Sequence, residues 1–375
     1  MRVHLVDPSA YTPPYDHALC MALAAAGAHV ELHTSRFSHG SLPPPAGYIR
    51  REDFYRAGSR LADPAIRRAV KLAEHVPDML RYRRTCASAE VVHFQWLAVQ
   101  QLDRLLLPGR HGPTGARRPL LLTAHDLLPR EPLPGQLAGQ RRLYDRFDAV
   151  IVHSEHGRRR LVGELSVDPS RVHVIPHGAF VHLAGDLDAP APPAPMRTDK
   201  PVVLCFGLMR PYKGIDLLID AWRGIDDAEL WLVGMPRMDI SALRSRAPAG
   251  VRFVPRFVAD EELPAYFRRA DLVVLPYREI DQSGVLATAL AFARPLLLSD
   301  VGGFPELART GAARTFPAGD AVALHDALVS LLADPAARAA MTDAARTAAG
   351  GVYSWEQIGR STLALYRSLL EGSSR

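Results

Sequence analysis

The stretch PVVLCFGLMRPYKGIDLLIDAW, residues 201–222, decides how the second half of the chain is read. Residues 201–206 form an almost unbroken apolar run, the pattern of a strand buried on both faces. Gly207 breaks the run, and Leu217, Leu218, Ala221 and Trp222 then fall on one side of a helix. Strand, glycine turn and helix make up the repeating unit of a parallel α/β sheet. Arg210 and Lys213 stand between strand and helix. A helix start offers free backbone N–H groups and the positive end of the dipole, so an anion is favoured beside it. Arginine can grip a diphosphate through paired hydrogen bonds, and lysine adds a compact charge. An R-x-x-K in a loop is ordinarily a pair of solvated charges, but a second phosphate-type signal follows at Gly284.

The same unit recurs in both directions. Apolar runs at 2–6, 30–34, 91–94, 120–123, 149–152 and 171–175 read as strands of a first domain, and those at 202–206, 229–233, 251–254, 272–275 and 296–299 as strands of a second. Helical patterns lie between them. Asp16 is expected to cap a helix that runs to Ala26 and stops at Gly27. Residues 186–200, DLDAPAPPAPMRTDK, are rich in proline and poor in core-forming side chains, and read as an interdomain linker. The expected architecture is therefore α/β. Two Rossmann-like, doubly wound domains, 1–185 and 201–352, face a cleft at their strand carboxyl ends, and an amphipathic helix within 353–375 returns to the first domain.

At 375 residues the chain is too long for one ordinary core, and 48% hydrophobic with 23% charged residues is a globular composition. The net charge of +5 suits an anionic substrate or an acidic membrane surface. No nucleic-acid-binding motif is present, and no partner of that kind is expected. Cys20, Cys86 and Cys205 lack metal spacing and read as reduced thiols of a cytoplasmic protein. The first residues read as a strand rather than a leader, and no apolar run is long enough to span a bilayer. The basic stretch 67–84 (RRAVKLAEHVPDMLRYRR), with Arg158, Arg159 and Arg160, is either a solvated helix face or a contact for anionic lipid or a lipid-diphosphate acceptor.

The second phosphate signal lies in DQSGVLATALAFARPLLLSDVGGFPEL, residues 281–307. Ser283, Gly284 and Val285 open a helix and offer a small backbone cradle. With these residues on the page, the chain resembles the family-four retaining glycosyltransferases of the GT-B fold. RVHVIPHGAF resembles the family's "VxVIPNGVD", with His177 in place of the usual Asn. FGLMRPYKG supplies Arg210 and Lys213 where the family holds the nucleotide diphosphate. ELWLVGMP resembles the strand and loop that follow, and VRFVPRFVADEELPAYFRRADLVVLPY the segment that receives the base, near Phe257 and Val258. DAVIVHSEHGRRRL resembles "ADxVIAxSxxxRxxL". TAHDLLP resembles "T-x-H-D", whose His, here His125, faces the donor sugar. Asp126 is a candidate to fix its tautomer or to cap the next turn.

The chain departs from the family in two places. Thr288 stands where the second Glu of a paired-Glu signature meets the ribose, and Glu279 or Asp281 replaces the first after a one-residue shift. The Gly-Gly after the first strand is replaced by PSAYTPPYDH, which puts Tyr11, Tyr15, Asp16 and His17 in the first loop. His93, at the end of the run VVHF, is either a hydrogen-bonding core residue or a substrate contact.

The resemblance implies transfer of a sugar, with retention, from a nucleotide-diphosphate sugar (UDP or GDP) to a hydroxyl of a glycan, glycolipid or natural product. Attack is from the front face, and the leaving phosphate helps to deprotonate the acceptor. Arg210, Lys213, His125, Glu279 and Asp281 are the catalytic candidates. Ser283, Gly284, Val285, Thr288, Phe257, Val258, His93 and Tyr15 are the substrate-binding candidates. No cofactor is implied. No metal is implied either: no D-x-D stands at a strand end, and Asp186 and Asp188 fall in the linker. The acceptor is open to being lipid-linked, with peripheral contact at an anionic membrane. A nucleotide-sugar epimerase of the same fold and a non-catalytic sugar-nucleotide binder remain alternatives. A nicotinamide oxidoreductase does not, because no G-x-G-x-x-G follows the first strand.

Overall fold

In the computed structural model, which describes residues 1–37, 42–112, 115–128, 135–185 and 196–372, the apolar runs pair in two parallel sheets. The strands are β1 (Arg2–Asp7), β2 (His29–Ser35), β3 (Ile49–Phe54), β4 (Val91–Phe94), β5 (Leu120–Thr123), β6 (Ala149–Val152), β7 (Val172–Val174), β8 (Val202–Phe206), β9 (Glu229–Val233), β10 (Val251–Val254), β11 (Leu272–Leu275), β12 (Leu296–Ser299) and β13 (Ala313–Phe316). The first sheet has the order β3-β2-β1-β4-β5-β6-β7, and the second β10-β9-β8-β11-β12-β13. Both are doubly wound. In each, the order reverses beside the first strand, between β1 and β4 and between β8 and β11, and the crevice at that reversal is where open α/β sheets take their ligands.

The second sheet shows why its runs are continuously apolar. Val202 and Leu204 of β8 enter a core on one face with Trp231, Val273 and Leu298. Val203 and Cys205 of the same strand enter a core on the other face with Leu230, Leu232 and Val274. Alternate side chains thus meet helices on both sides, so a central strand such as β8 cannot carry a polar face. Two strands were not expected from the sequence, β3 and β13. Both lie at a sheet edge, and IRREDF and ARTF carry the charged, half-exposed pattern that edges tolerate.

The chain divides into two compact units, Met1–His177 with Trp355–Arg375, and Gly178–Ser354. The first boundary therefore precedes the proline-rich stretch instead of falling within 186–200. The cause is local bonding: Ala179 N–H donates to Tyr353 O (2.8 Å), Phe180 N–H to Ala287 O (3.3 Å), and the Arg268 guanidinium to Ala184 O (3.0 Å). The proline-rich stretch up to residue 195, including Asp186 and Asp188, lies outside the described residues.

The C-terminal helix Trp355–Glu371 belongs to the first unit. There it packs on the helix Pro13–Ala25 so closely that a Cβ on Gly359 would lie 2.8 Å from the backbone of Ala22. Tyr15, Asp16 and His17 sit within Pro13–Ala25, not in a loop, and Asp16 is not its cap. The helix opens at Pro13, whose fixed φ and missing N–H suit a first turn, and Asp16 is buried inside that turn. No helix among the described residues is long and apolar enough to cross a membrane.

Candidate active site

In the second unit, the loops that follow β8 and β11 hold the phosphate-type residues. Gly207 ends β8 with φ +103°. A Cβ there would lie 2.9 Å from Lys213 Nζ and 3.1 Å from Val285 Cγ2. The Lys213 ammonium and the first turn of the helix Gly284–Ala291 therefore meet over the end of β8. Lys213 is 6% exposed, and its Nζ lies 4.9 Å from the centre of the Tyr277 ring, a cation–π contact. Arg210 is exposed at the start of the 3₁₀ turn Pro211–Lys213. Gly214 closes this turn at φ +64°, with space for no side chain, since an added Cβ would sit 2.0 Å from Pro276 O. The turn is thereby pressed against the end of β11.

The residue that braces this turn carries no local sequence signal. Arg278 donates to both oxygens of Asp216 (3.0 and 2.6 Å) and to Pro211 O (2.8 Å), and its backbone N–H donates to Tyr212 O (2.7 Å). Burial alone would push the Asp216 carboxyl up, but the bonds from Arg278 outweigh it and hold it low. In the sequence, Arg278 stands three residues past a predicted strand with no partner near it, so only the fold reveals its role.

The other second-unit candidates are placed as follows. Ser283 caps the helix Gly284–Ala291, its Oγ accepting from Leu286 N–H at 3.4 Å. Thr288 is buried, and its hydroxyl donates to Gly284 O (2.9 Å), so toward a ribose it can offer only lone pairs. Glu279 is exposed and Asp281 half-buried in the loop before that helix. Val258 is buried in the core, while its neighbour Phe257 is 55% exposed beyond β10.

In the first unit, the carboxyl ends of β5, β6 and β7 carry His125, His153 and His177, and Tyr15 stands among all three. Its ring centre lies 4.7 Å from that of His125, 5.5 Å from His153, 5.0 Å from His177 and 5.1 Å from Trp355. The Trp96 ring stacks on His125 at 5.0 Å. The bonding fixes tautomers. His153 Nδ1–H donates to Ile175 O (2.9 Å), so its Nε2 accepts from His125 Nδ1–H (3.4 Å). His125 Nε2 is then an acceptor facing the Gln95 amide at 3.3 Å, which requires the Gln95 NH₂ to point toward it. Burial, reinforced by the neighbouring rings, holds His125 well below the usual histidine range, and burial brings His153 down to about 4. His125 and His153 are therefore both neutral at pH 7. His125 and Tyr15 are expected from the sequence and His153 and Trp355 are not; the signal for the cluster is a histidine shortly after each of three consecutive strands (TAHD, IVHS, IPHG).

His93 corrects the expectation of a substrate contact. It is fully buried, with Nδ1 2.6 Å from the Tyr366 hydroxyl and Nε2 2.8 Å from Thr123 Oγ1. Both nitrogens are spent on holding the C-terminal helix to β4 and β5, and no ring edge is left for a ligand.

Among the described residues, one group of histidines and carboxylates comes together closely enough to be considered for a metal: His4, Glu31 and His33. Glu31 is bonded to Arg51, His33 Nδ1 lies 2.9 Å from Asp53 Oδ2, and His33 Nε2 lies 3.9 Å from Glu31 Oε2. That last separation exceeds the edge of a tetrahedron built on bonds of about 2.1 Å, and the group sits away from the strand carboxyl ends.

Two doubly wound domains with ligand loops at their topological reversals define the GT-B class of folds. Solved structures of that class superpose along the whole chain. A sucrose-phosphate synthase from Thermosynechococcus elongatus does so with a TM-score of 0.73 at 22% identity, covering 99% of this chain and 100% of that one. The Anabaena protein HepE in complex with UDP-glucose does so with a TM-score of 0.71 at 19% identity, covering 98% and 100%. Residues 200–334 match the family described as "Glycosyl transferases group 1", and residues 14–178 the "Glycosyl transferase 4-like domain". The chain belongs to the group 1 glycosyltransferase family. Among curated relatives, the D-inositol 3-phosphate glycosyltransferase of Mycobacterium avium (strain 104) is 28% identical over 273 residues, 66% of this chain and 64% of that protein. That of Mycobacterium tuberculosis (strain ATCC 25177 / H37Ra) is 28% identical over 275 residues, 66% of this chain and 56% of that protein. The matches thus span less than two thirds of these relatives' length.

Proposed function

We propose that this protein is a retaining glycosyltransferase that passes a sugar from a nucleotide-diphosphate donor to a hydroxyl acceptor without a divalent metal. The observation that carries this reading is the meeting of Lys213 Nζ, Gly207 and the first turn of the helix Gly284–Ala291 at the reversal of the second sheet. The diphosphate lies where a side chain on Gly207 would intrude, and Lys213, Arg210 and the N–H groups of Gly284 and Val285 take up its charge. When the bond from sugar C1 to the phosphate oxygen breaks, negative charge grows on that phosphate, and these groups bind it more tightly than in the ground state. The acceptor oxygen forms its bond to C1 on the same face. Its proton passes to the departing phosphate, leaving a glycoside and a nucleoside diphosphate. The cations supply the charge neutralisation that a metal gives elsewhere, so turnover is expected to persist in EDTA. The names of the curated relatives support a polyol acceptor, and the UDP-glucose complex of HepE supports a sugar-nucleotide donor. Such donors place the enzyme in the cytoplasm.

The test is a thermal-shift panel with UDP, GDP, dTDP, ADP and CMP on the wild type and on Lys213→Ala. A nucleotide at about 100 times its Kd adds roughly 2.7 kcal/mol. One nucleotide that stabilises the wild type and not the variant supports the reading and names the donor class. No shift with any of them overturns it.

A further inference from the structure

A cavity of about 690 Å³ opens at the carboxyl ends of the first-unit strands, separate from the histidine cluster. Its charge is one-sided. Arg36, which follows β2, and Arg67, Arg68 and Lys71 from the helix Pro64–Thr85 all line it. Among the described residues, none of these four has a carboxylate within 4.0 Å. Other first-unit arginines do: Arg51 pairs with Glu31 and Arg81 with Asp78. Arg67 and Lys71 stand four residues apart on one helix face, a spacing at which like charges repel. The two nearby carboxylates are otherwise engaged. Glu74 accepts from Ala57 N–H (2.9 Å) and Gly58 N–H (2.8 Å), and Asp7 accepts from Ser9 (3.2 Å), Tyr11 (2.6 Å) and Thr12 (3.3 Å) N–H groups. Burial, and then the Arg67 charge, lower the Lys71 pKa, and the Glu74 and Asp7 carboxylates offset this only in part.

The walls are built rather than incidental. Ala10 and Tyr55, both lining the cavity, have φ of +51° and +49°, a backbone region that costs non-glycine residues on the order of 1–3 kcal/mol each and collects at ligand clamps. Tyr55 is held there by three linked bonds. Its N–H donates to Asp78 Oδ2 (2.7 Å), its hydroxyl donates to His75 Nδ1 (2.7 Å), and His75 Nε2–H donates to Asp103 Oδ1 (2.6 Å). The rings of Tyr55 and of the exposed Tyr11 supply apolar faces beside the cations, and Lys71 Nζ lies 5.3 Å from the centre of the Tyr55 ring.

We propose that this cavity is an anion seat for a phosphate-bearing acceptor, with the phosphate on Arg67, Arg68, Lys71 and Arg36 and the acceptor's sugar or polyol against Tyr11 and Tyr55. The word acceptor rests on the glycosyltransferase reading; the anion seat does not. A phosphate here has two sources, a soluble sugar or polyol phosphate or the headgroup of a lipid, and the cations bind either.

The experiment titrates the full chain with inorganic phosphate, inositol 3-phosphate and neutral myo-inositol, and with vesicles of phosphatidylcholine alone or containing phosphatidylinositol. All arms include, at saturation, the nucleotide that the thermal-shift panel selects, so that the second-unit site is filled. They are repeated on R67Q/K71Q and on R68E, the latter at an exposed position chosen to leave folding intact. Binding of a phosphorylated probe, with none of myo-inositol, that weakens about tenfold or more in both variants while affinity for that nucleotide is unchanged supports the proposal. Binding of inositol 3-phosphate assigns the soluble source; binding only of phosphatidylinositol vesicles, lost in the same variants, assigns the lipid. Equal phosphate binding by wild type and variants, or none to the wild type in any arm, overturns it. Failure of the wild type to bind any nucleotide of the panel would instead count against the glycosyltransferase reading and leave the anion seat standing.

Discussion

Lys213 is the residue on which most of the proposed chemistry turns. It is nearly buried, rests on Tyr277 and points at Gly207, whose φ of +103° disfavours any side chain. Loss of one preorganised donor at a developing oxyanion costs about 2.7–4 kcal/mol of barrier. Lys213→Ala should therefore lose roughly a hundred- to a thousandfold in kcat while melting as a folded protein; wild-type turnover in that variant would sink the assignment. Arg278 makes a different prediction, because it touches the turn and not the ligand. Arg278→Lys keeps the charge but loses the two-pronged grip on Asp216. Steady-state kinetics should show the donor KM rising several-fold with little change in kcat, and an equal fall in kcat would make Arg278 a contact of the transition state. The contrast between these residues shows what a sequence discloses. Lys213 and Gly207 are six residues apart in one loop, so spacing alone announces them. Arg278 meets Asp216 across 62 residues, and the three histidines around Tyr15 come from three separate strands. No local pattern joins such residues until the sheet brings its strand ends together.

Among the elements, the central strands were legible because both their faces are buried, and β3 and β13 were not because an edge permits charge. The proline-rich stretch misled for a related reason. Composition marks where a chain cannot build a core, but the boundary falls where hydrogen bonds change partner, at residues 177 and 178. The C-terminal helix depends on two contacts in the first unit. One is the close approach of Gly359 to Ala22, where any Cβ would press on backbone at 2.8 Å. Gly359→Val should lower stability by about 1–3 kcal/mol through overpacking. The other is the bond between Tyr366 and His93. Tyr366→Phe strands a buried imidazole nitrogen and should cost about 1–3 kcal/mol. Urea denaturation of both variants measures these losses, and unchanged midpoints would mean that the helix is held by its apolar face alone.

At the scale of the whole molecule, the buried histidines set the response to acid. Burial brings His93 down to about 3 and His4 and His153 to about 4, and holds His125 well below the usual range; all four lie in the first unit. A ring whose pKa falls on folding stays neutral in the native chain while the unfolded chain takes up a proton. Its contribution is therefore complete above about pH 6.5 and is lost as pH falls toward the folded pKa. Each ring can remove about 1.4 kcal/mol per pH unit in that window, so four together remove at most roughly 5 to 6. Asp7 and Asp16 run the other way: burial raises both, so their stabilisation is greatest in acid and declines as pH rises through their folded values. The carboxylates held low by arginines, Glu31, Asp216 and Glu262, give way only once pH drops into the ordinary carboxylate range. Between pH 6.5 and about 4.5 the rings outnumber every opposing group, and domains hold only about 5–15 kcal/mol in all. The first unit should therefore lose its fold within about one to two pH units below 6.5, before the second. Hydrogen exchange followed by mass spectrometry should show β4 to β7 opening near pH 5 while β8, β9 and β11 stay protected. His93→Gln removes one titration and should shallow the pH slope by up to about 1.4 kcal/mol per unit. Simultaneous opening of both sheets, or a slope untouched by that substitution, would show that these rings do not govern acid stability.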